Sequence, residues 1–223
     1  GGLMALGIPD FKLEKPLIDR RLEQMKAEGV TFELGTAVGT DKFDEGVHSF
    51  AKKVIPAEDV IRDFDAVVLA LGSEAPRDLK VPGRDAKGVN FALDLLIGQN
   101  REDSGAVKKA PISAKGCDVA IIGGGLPGCE FGHLCMETGR TTAIIEERKK
   151  VGFDVGGSDR FGLISSFKQA ENVEMYPLTR VTAITEEGVR AVQTTPEGDK
   201  ELFIPAKTVA ITLGLAENHD LGE

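Results

Sequence analysis

The stretch that decides the fold is Cys117-Asp-Val-Ala-Ile-Ile-Gly-Gly-Gly-Leu-Pro-Gly-Cys-Glu130. An apolar run, Val119 to Ile122, leads directly into Gly123-x-Gly125-x-x-Gly128, with Gly124, Leu126 and Pro127 completing the turn. A second apolar run, Thr141 to Ile145, ends at Glu146, 18 residues beyond Gly128. Strand, glycine turn, helix, strand and terminal acid in this order predict a dinucleotide-binding βαβ unit. Each residue type has a physical reason. Gly123 permits the tight turn out of the strand, Gly125 lets backbone approach a pyrophosphate, and Gly128 lets the helix pack close to the strand. The helix start offers free N–H groups and a positive dipole end to phosphate. Glu146 stands near the ~20-residue offset of the acid that accepts hydrogen bonds from the adenine ribose. The alternative is a glycine-rich turn with a vestigial site.

Composition limits the rest. The chain has 223 residues, 41% hydrophobic and 28% charged, enough for one large or two small globular domains. A net charge of −9 argues against nucleic acid or an anionic membrane as partner. No apolar run reaches the ~18 residues of a membrane span, and there is no secretory signal. Cys117, Cys129 and Cys135 form no Cys-x-x-Cys pair, which disfavours a disulfide framework, a zinc ribbon or a dithiol centre. A reducing, cytoplasmic setting is expected. The start Gly1-Gly2-Leu3, without methionine, is expected of a fragment or a processed chain.

Taken in order, residues 1–10 read as an irregular loop and Pro16 to Glu28 as a helix stopped by Gly29. Val30 to Leu34 alternates like a short strand, and Thr40 to Val54, with His48, reads as a surface excursion. A short helix is expected over Ala57 to Arg62. Asp65-Ala-Val-Val-Leu-Ala-Leu-Gly72 has the pattern of a strand buried on both faces. Val89 to Leu96 reads as helical, and the polar stretch Gly98 to Lys115 as holding a domain boundary. Beyond the glycine turn, Ser158 or Asp159 is expected to cap a helix turning Phe161, Ile164 and Phe167 inward. Strands follow over Val173 to Tyr176, Val181 to Ile184, Val189 to Thr194 and Leu202 to Ile204, the last three as a meander. Thr208 to Gly214 closes as an apolar strand ending in glycine, echoing Ala66 to Gly72.

Several motifs carry a resemblance. Gly1-Gly-Leu-Met-Ala-Leu-Gly-Ile-Pro-Asp-Phe-Lys-Leu13 resembles the segment after the first FAD-binding unit of the glutamate synthase small (β) subunit. Phe64 to Ser73, Pro76-Arg-Asp-Leu79, Val81-Pro-Gly-Arg84, Gly88-Val-Asn-Phe-Ala92 and Ile112-Ser-Ala-Lys-Gly116 are similar to the same family, in order, up to about residue 125. There that family continues Gly-Gly-Gly-Asp-Thr-Gly. This chain has Leu126-Pro127 instead, with Glu130 two positions after Gly128, closer to disulfide-reductase-like flavoproteins. From Asp154-Val-Gly onward it looks like 2-enoate and 2,4-dienoyl-CoA reductases.

The resemblance implies an α/β architecture. A Rossmann-like NAD(P)-binding domain with parallel sheet and β-meander would span 109–223, and a partial FAD-type dinucleotide domain with linker 1–108. It implies NAD(H) or NADP(H) as cofactor and FAD in the intact protein, with the amino-terminal FAD turn upstream of Gly1 and a further FAD motif downstream of Glu223. It also implies hydride passing from nicotinamide to flavin, and a partner subunit or domain accepting electrons. Gly1, Gly2, Gly7, Ile8, Pro9, Ala70, Leu71 and Gly72 would border the flavin or its linking loops. Gly214, ending the last strand, joins the cofactor-binding set with Gly123 to Gly128. The cofactors carry such chemistry, so no protein triad or metal site is expected, and none is found in the sequence.

Two roles stay open for Glu130: ordering the nicotinamide side, or favouring the helix N-terminus electrostatically. His133 reads as a helix residue, and Cys129 and Cys135 as small packing residues. Glu146 and Glu147 favour NADH, because a carboxylate repels a 2′-phosphate, whereas Arg148, Lys149 and Lys150 offer cations to pair with one. A vestigial, non-catalytic module remains the third alternative beside the two reductase branches.

Overall fold

The computed structural model describes residues 2–39, 51–73 and 75–216. In chain order the elements are α1 (Gly2–Leu6), α2 (Lys15–Ala27), β1 (Thr36–Val38), β2 (Lys53–Ile55), α3 (Ala57–Asp63) and β3 (Val89–Phe91). Then come α4 (Ala92–Asp103), β4 (Val119–Ile122), α5 (Leu126–Glu137), β5 (Thr142–Ile145) and α6 (Gly157–Gln169). The chain closes with β6 (Val173–Tyr176), β7 (Thr179–Thr185), β8 (Gly188–Thr195), β9 (Gly198–Pro205) and β10 (Thr208–Ile211). Two compact units result: Gly1–Ile18 with Pro76–Leu215, and Asp19–Ala75 with Ala216–Glu223.

The larger unit is built on a five-stranded parallel sheet of order β3-β10-β4-β5-β6. Every residue of β4, β5 and β10 is buried, as unbroken apolar runs require of strands covered on both faces. Successive side chains point to opposite faces and feed two cores. On one face Val119, Ile121, Ile144 and Ala210 pack with Leu95 and Leu96 of α4, Cys129, Phe131 and Cys135 of α5, and Phe167 of α6. On the other, Ala120, Ile122, Ala143, Ile145 and Val209 meet Val181, Ile184, Val189 and Ile204 of the antiparallel sheet β7-β8-β9. Helices, parallel sheet and meander therefore form three layers.

The expected boundary between residues 108 and 109 does not coincide with these units. Residues 76–108 belong to the parallel-sheet unit because β3 pairs with β10 along Val89 to Phe91. The helix expected from Val89 is a strand for three residues before α4 begins at Ala92, and α4 runs on to Asp103. Val89 and Phe91, both strand-favouring, beside an open sheet edge outweigh a weak helical period. Near the start, α1 replaces the expected loop; its neighbourhood is tied to α4 by Asn100, whose amide Nδ2 donates to the Leu6 carbonyl at 2.7 Å.

α6 starts at Gly157 with no side-chain cap, so neither Ser158 nor Asp159 serves as one. Phe167 is buried and Ile164 packs beside it, but Phe161 is 76% exposed. Position 161 lies six residues before Phe167, a 600° rotation at 100° per residue that places it well off the buried stripe.

In the smaller unit, α2 and α3 occupy the expected stretches and β1 pairs in parallel with β2. Gly29 ends the first helix with φ +95°, a conformation open to glycine. Val30 to Leu34 forms no strand; pairing begins at Thr36. The run 65–72 is not a strand either, and its residues are exposed, Val68 by 87% and Leu69 by 66%. An apolar run records a tendency to be covered, and among the described residues none pairs with it. Gly1 and His48 lie outside the described residues, as do ten of the others expected in the 40–54 excursion.

Candidate dinucleotide site

The strand order places a candidate site before any side chain is considered. From β4 the chain proceeds to β5 and β6 on one side, then returns as β10 on the other. That reversal is a topological switch point, where open parallel sheets leave a crevice beyond their strand ends. Gly123 follows β4 there, and Thr212 follows β10.

The turn is tied to both neighbours. Gly123 has φ +104°, and a methyl group on it would stand 2.7 Å from the Thr212 carbonyl oxygen. A methyl on Gly128 would overlap the Gly123 carbonyl oxygen and lie 2.7 Å from Thr212 Oγ1. The Thr212 hydroxyl donates to the carbonyls of Ile122 (3.1 Å) and Gly123. Helix, turn and β10 therefore approach at backbone distance, which only glycine at 123 and 128 permits.

Glu146 is fixed with equal care. It is 5% exposed; Oε2 accepts from the Gly124 N–H at 2.7 Å and Oε1 from the Arg148 N–H at 2.7 Å. Each oxygen keeps a second lone pair, so the carboxylate can still accept from a ribose hydroxyl. A cavity of about 400 Å³ opens in front, lined by Gly123, Gly125, Pro127, Glu146, Glu147 and Arg148 among others. The Arg148 guanidinium lies 4.0 Å from the centre of the Phe153 ring. The turn, Glu146, Glu147 and Arg148, foreseen as one constellation, are thus brought together.

Other foreseen residues lie elsewhere. Leu126 opens α5 with its side chain 41% exposed. Glu130 forms an ion pair with Lys12. Gly214, with φ +85°, accepts through its carbonyl from the Arg77 N–H at 2.9 Å and does not line the cavity. Gly2 begins α1, while Gly7, Ile8 and Pro9 form the turn after it, where the Gly7 and Ile8 N–H groups donate to the Leu3 carbonyl. Ala70, Leu71 and Gly72 belong to the smaller unit and are exposed. Reading motifs alone missed Phe153, Asp154, Thr179 and Arg180, which also line the cavity. Asp154 belonged to a quoted motif; Thr179 and Arg180 carry no sequence signal, because β7 reaches the site only through sheet-on-sheet packing.

His133 sits edge-on to Phe11 and Phe167, with ring centres 5.0 and 6.4 Å away, and Nε2 is 3.4 Å from Glu137. Among the described residues no cluster of His, Cys, Asp or Glu could hold a metal, and no helix is long and apolar enough to cross a membrane. Burial pushes the Cys129 thiol up to about 12, reinforced by Asp154, Glu130 and Glu146, and the Cys135 thiol up to about 11. Both therefore remain protonated and unreactive at neutral pH. Treating the folded protein with iodoacetamide at pH 8 is expected to label Cys117 alone. Peptide mass spectrometry showing equal labelling of Cys129 would contradict that burial.

A parallel-sheet α/β unit with a glycine turn at its switch point defines a dinucleotide-fold protein. Comparison with known proteins narrows the class. A family model described as pyridine nucleotide-disulphide oxidoreductase matches residues 10–223. The chain belongs to that family. It is 44% identical over 135 residues to the glutamate synthase [NADPH] small chain of Mycobacterium tuberculosis, covering 58% of this chain and 25% of that one. To the Bacillus subtilis protein of the same name it is 39% identical over 153 residues, 68% of this chain and 27% of the relative. The chain thus spans about a quarter of the length of these relatives. Among solved structures, a 2-naphthoyl-CoA reductase complexed with 2-naphthoyl-CoA superposes over 100% of this chain and 29% of its own, with TM-score 0.65 and 21% identity. That likeness is one of fold.

Proposed function

We propose that this chain carries the nicotinamide dinucleotide-binding unit of a flavin-dependent oxidoreductase of the glutamate synthase small-chain type. The observation that carries the reading is the glycine turn at the switch point, with Glu146 hydrogen-bonded to Gly124 beside an open cavity. The pyrophosphate would meet the first turn of α5, and Glu146 would accept from the adenine ribose. A bound nicotinamide supplies the hydride, and a flavin is the group expected to take it. Ala70, Leu71 and Gly72 are exposed, and no flavin step is assigned to them. A partner centre would receive the electrons. Relatives at 39–44% identity favour the glutamate synthase branch over the enoate-reductase branch.

NADH is the favoured ligand. Glu146 is held in place by two backbone donors and would face a 2′-phosphate with like charge, while Arg148 is directed at Phe153. Fluorescence titration of the purified protein is expected to give saturable binding of both nucleotides, NADH about tenfold tighter, or about 1.4 kcal/mol. Tighter NADPH binding would assign the phosphate to Arg148, Lys149 and Lys150. Saturation by neither nucleotide would reject the reading and leave a non-catalytic module.

A further inference from the structure

The loop after β5 does something that nucleotide binding does not require. It folds back over the glycine turn. The Gly152 N–H donates to the Gly124 carbonyl at 2.6 Å, and Asp154 Oδ1 accepts from the Leu126 N–H at 2.7 Å. A methyl on Gly125 would stand 3.0 Å from Asp154 Oδ2 and 3.4 Å from the Phe153 ring. Gly125 is the residue left bare so that a pyrophosphate can approach, and Leu126 is the first residue of α5. A side-chain carboxylate therefore occupies the place at the helix start where the phosphate anion would sit. α5 has no cap from its own N-cap residue, Gly125, so Asp154 supplies the acceptor from 28 residues away.

The loop is bounded by glycines. Gly152, with φ +67°, stands on one side of Asp154, and Gly156 and Gly157 on the other. One end is anchored: Arg160 donates through Nε (3.1 Å) and Nη2 (2.9 Å) to the Val151 carbonyl. Residues 153–156 lie between that anchor and α6, and Phe153, Asp154 and Gly156 among them are exposed.

We propose that residues 152–157 form an intramolecular strap whose Asp154 carboxylate competes with the pyrophosphate and must leave before a dinucleotide can seat. The strap rests on the proposed dinucleotide site and adds regulation to it. Two anions cannot share one helix start, so apparent affinity is lowered by the fraction of molecules with the strap closed. The strap also covers an otherwise uncapped turn when no nucleotide is present.

The test compares wild-type protein with Asp154→Asn and Asp154→Ala by calorimetric titration with ADP-ribose and with adenosine. Asparagine keeps the size of the side chain but loses the charge that strengthens the contact to the Leu126 N–H, and alanine removes the acceptor; circular dichroism checks the fold of both variants. ADP-ribose is expected to bind about tenfold tighter in each variant, while adenosine, which has no phosphate, shows no gain, or no detectable binding in any form. Unchanged or weaker ADP-ribose binding in the variants, with binding by wild type, overturns the strap and leaves the dinucleotide site standing. An equal gain for adenosine shows that the loop obstructs the whole cavity and overturns competition with pyrophosphate. Failure of all three proteins to bind ADP-ribose removes both readings.

Discussion

Replacing Gly128 with alanine is expected to abolish dinucleotide binding and to destabilise the protein by about 3 kcal/mol, near the upper end of overpacking costs. The added methyl would overlap the Gly123 carbonyl oxygen and crowd Thr212 Oγ1. The first of these is backbone in a tight turn and cannot swing aside. Relief requires α5 to retreat from β4, opening the core around Cys129 and Phe131. Urea denaturation and NADH titration on the same preparation measure both effects. Wild-type stability with wild-type affinity would show that helix and turn are not closely packed there. Gly139 is a control: it has φ +68° but open space around its added methyl, so Gly139→Ala carries only the cost of a left-handed backbone and leaves binding intact.

Glu146→Ala is the second large effect. The substitution removes the acceptor from the Gly124 and Arg148 N–H groups at once. A buried donor left without a partner costs about 1–3 kcal/mol, so stability should fall by about 2 kcal/mol. NADH affinity should fall further, about 30-fold, because the ribose acceptor goes and the turn loosens. NADPH should lose less, since like-charge repulsion is relieved, and the preference for NADH should narrow or reverse. Parallel titrations with both nucleotides separate the two contributions. An equal loss for both would confine Glu146 to holding the turn.

The smaller unit shows where local pattern fails. Asp65 to Gly72 and Thr208 to Gly214 read alike, yet β10 is wholly buried at the centre of a sheet, while Val68 and Leu69 are exposed. Sequence identifies a segment that favours a covered strand; only a neighbouring strand makes it one. Val89 to Phe91 teaches the same lesson in the other direction. Its helical period yields to the vacant edge of β10. Near the turn, Glu130, whose role the sequence leaves open, pairs with Lys12, 118 positions earlier.

The sequence alone determined the βαβ unit. Gly123, Gly125, Gly128 and Glu146 act through backbone geometry and short-range spacing, which a linear pattern records directly. It also determined the meander, since turns at Glu187-Gly188 and Glu197-Gly198 set its register. The tertiary structure decided what depends on distant segments meeting: β10 inserted beside β4, Thr212 against Gly123, β7 bringing Arg180 to the cavity, and Asp154 folded onto Leu126. Those contacts join residues 28 to 90 positions apart. Their energy comes from burying two faces of one sheet at once, and no local pattern carries that information. The glycine turn was legible in the sequence, and the fold set the Asp154 carboxylate against the Leu126 N–H at the start of the helix that follows it.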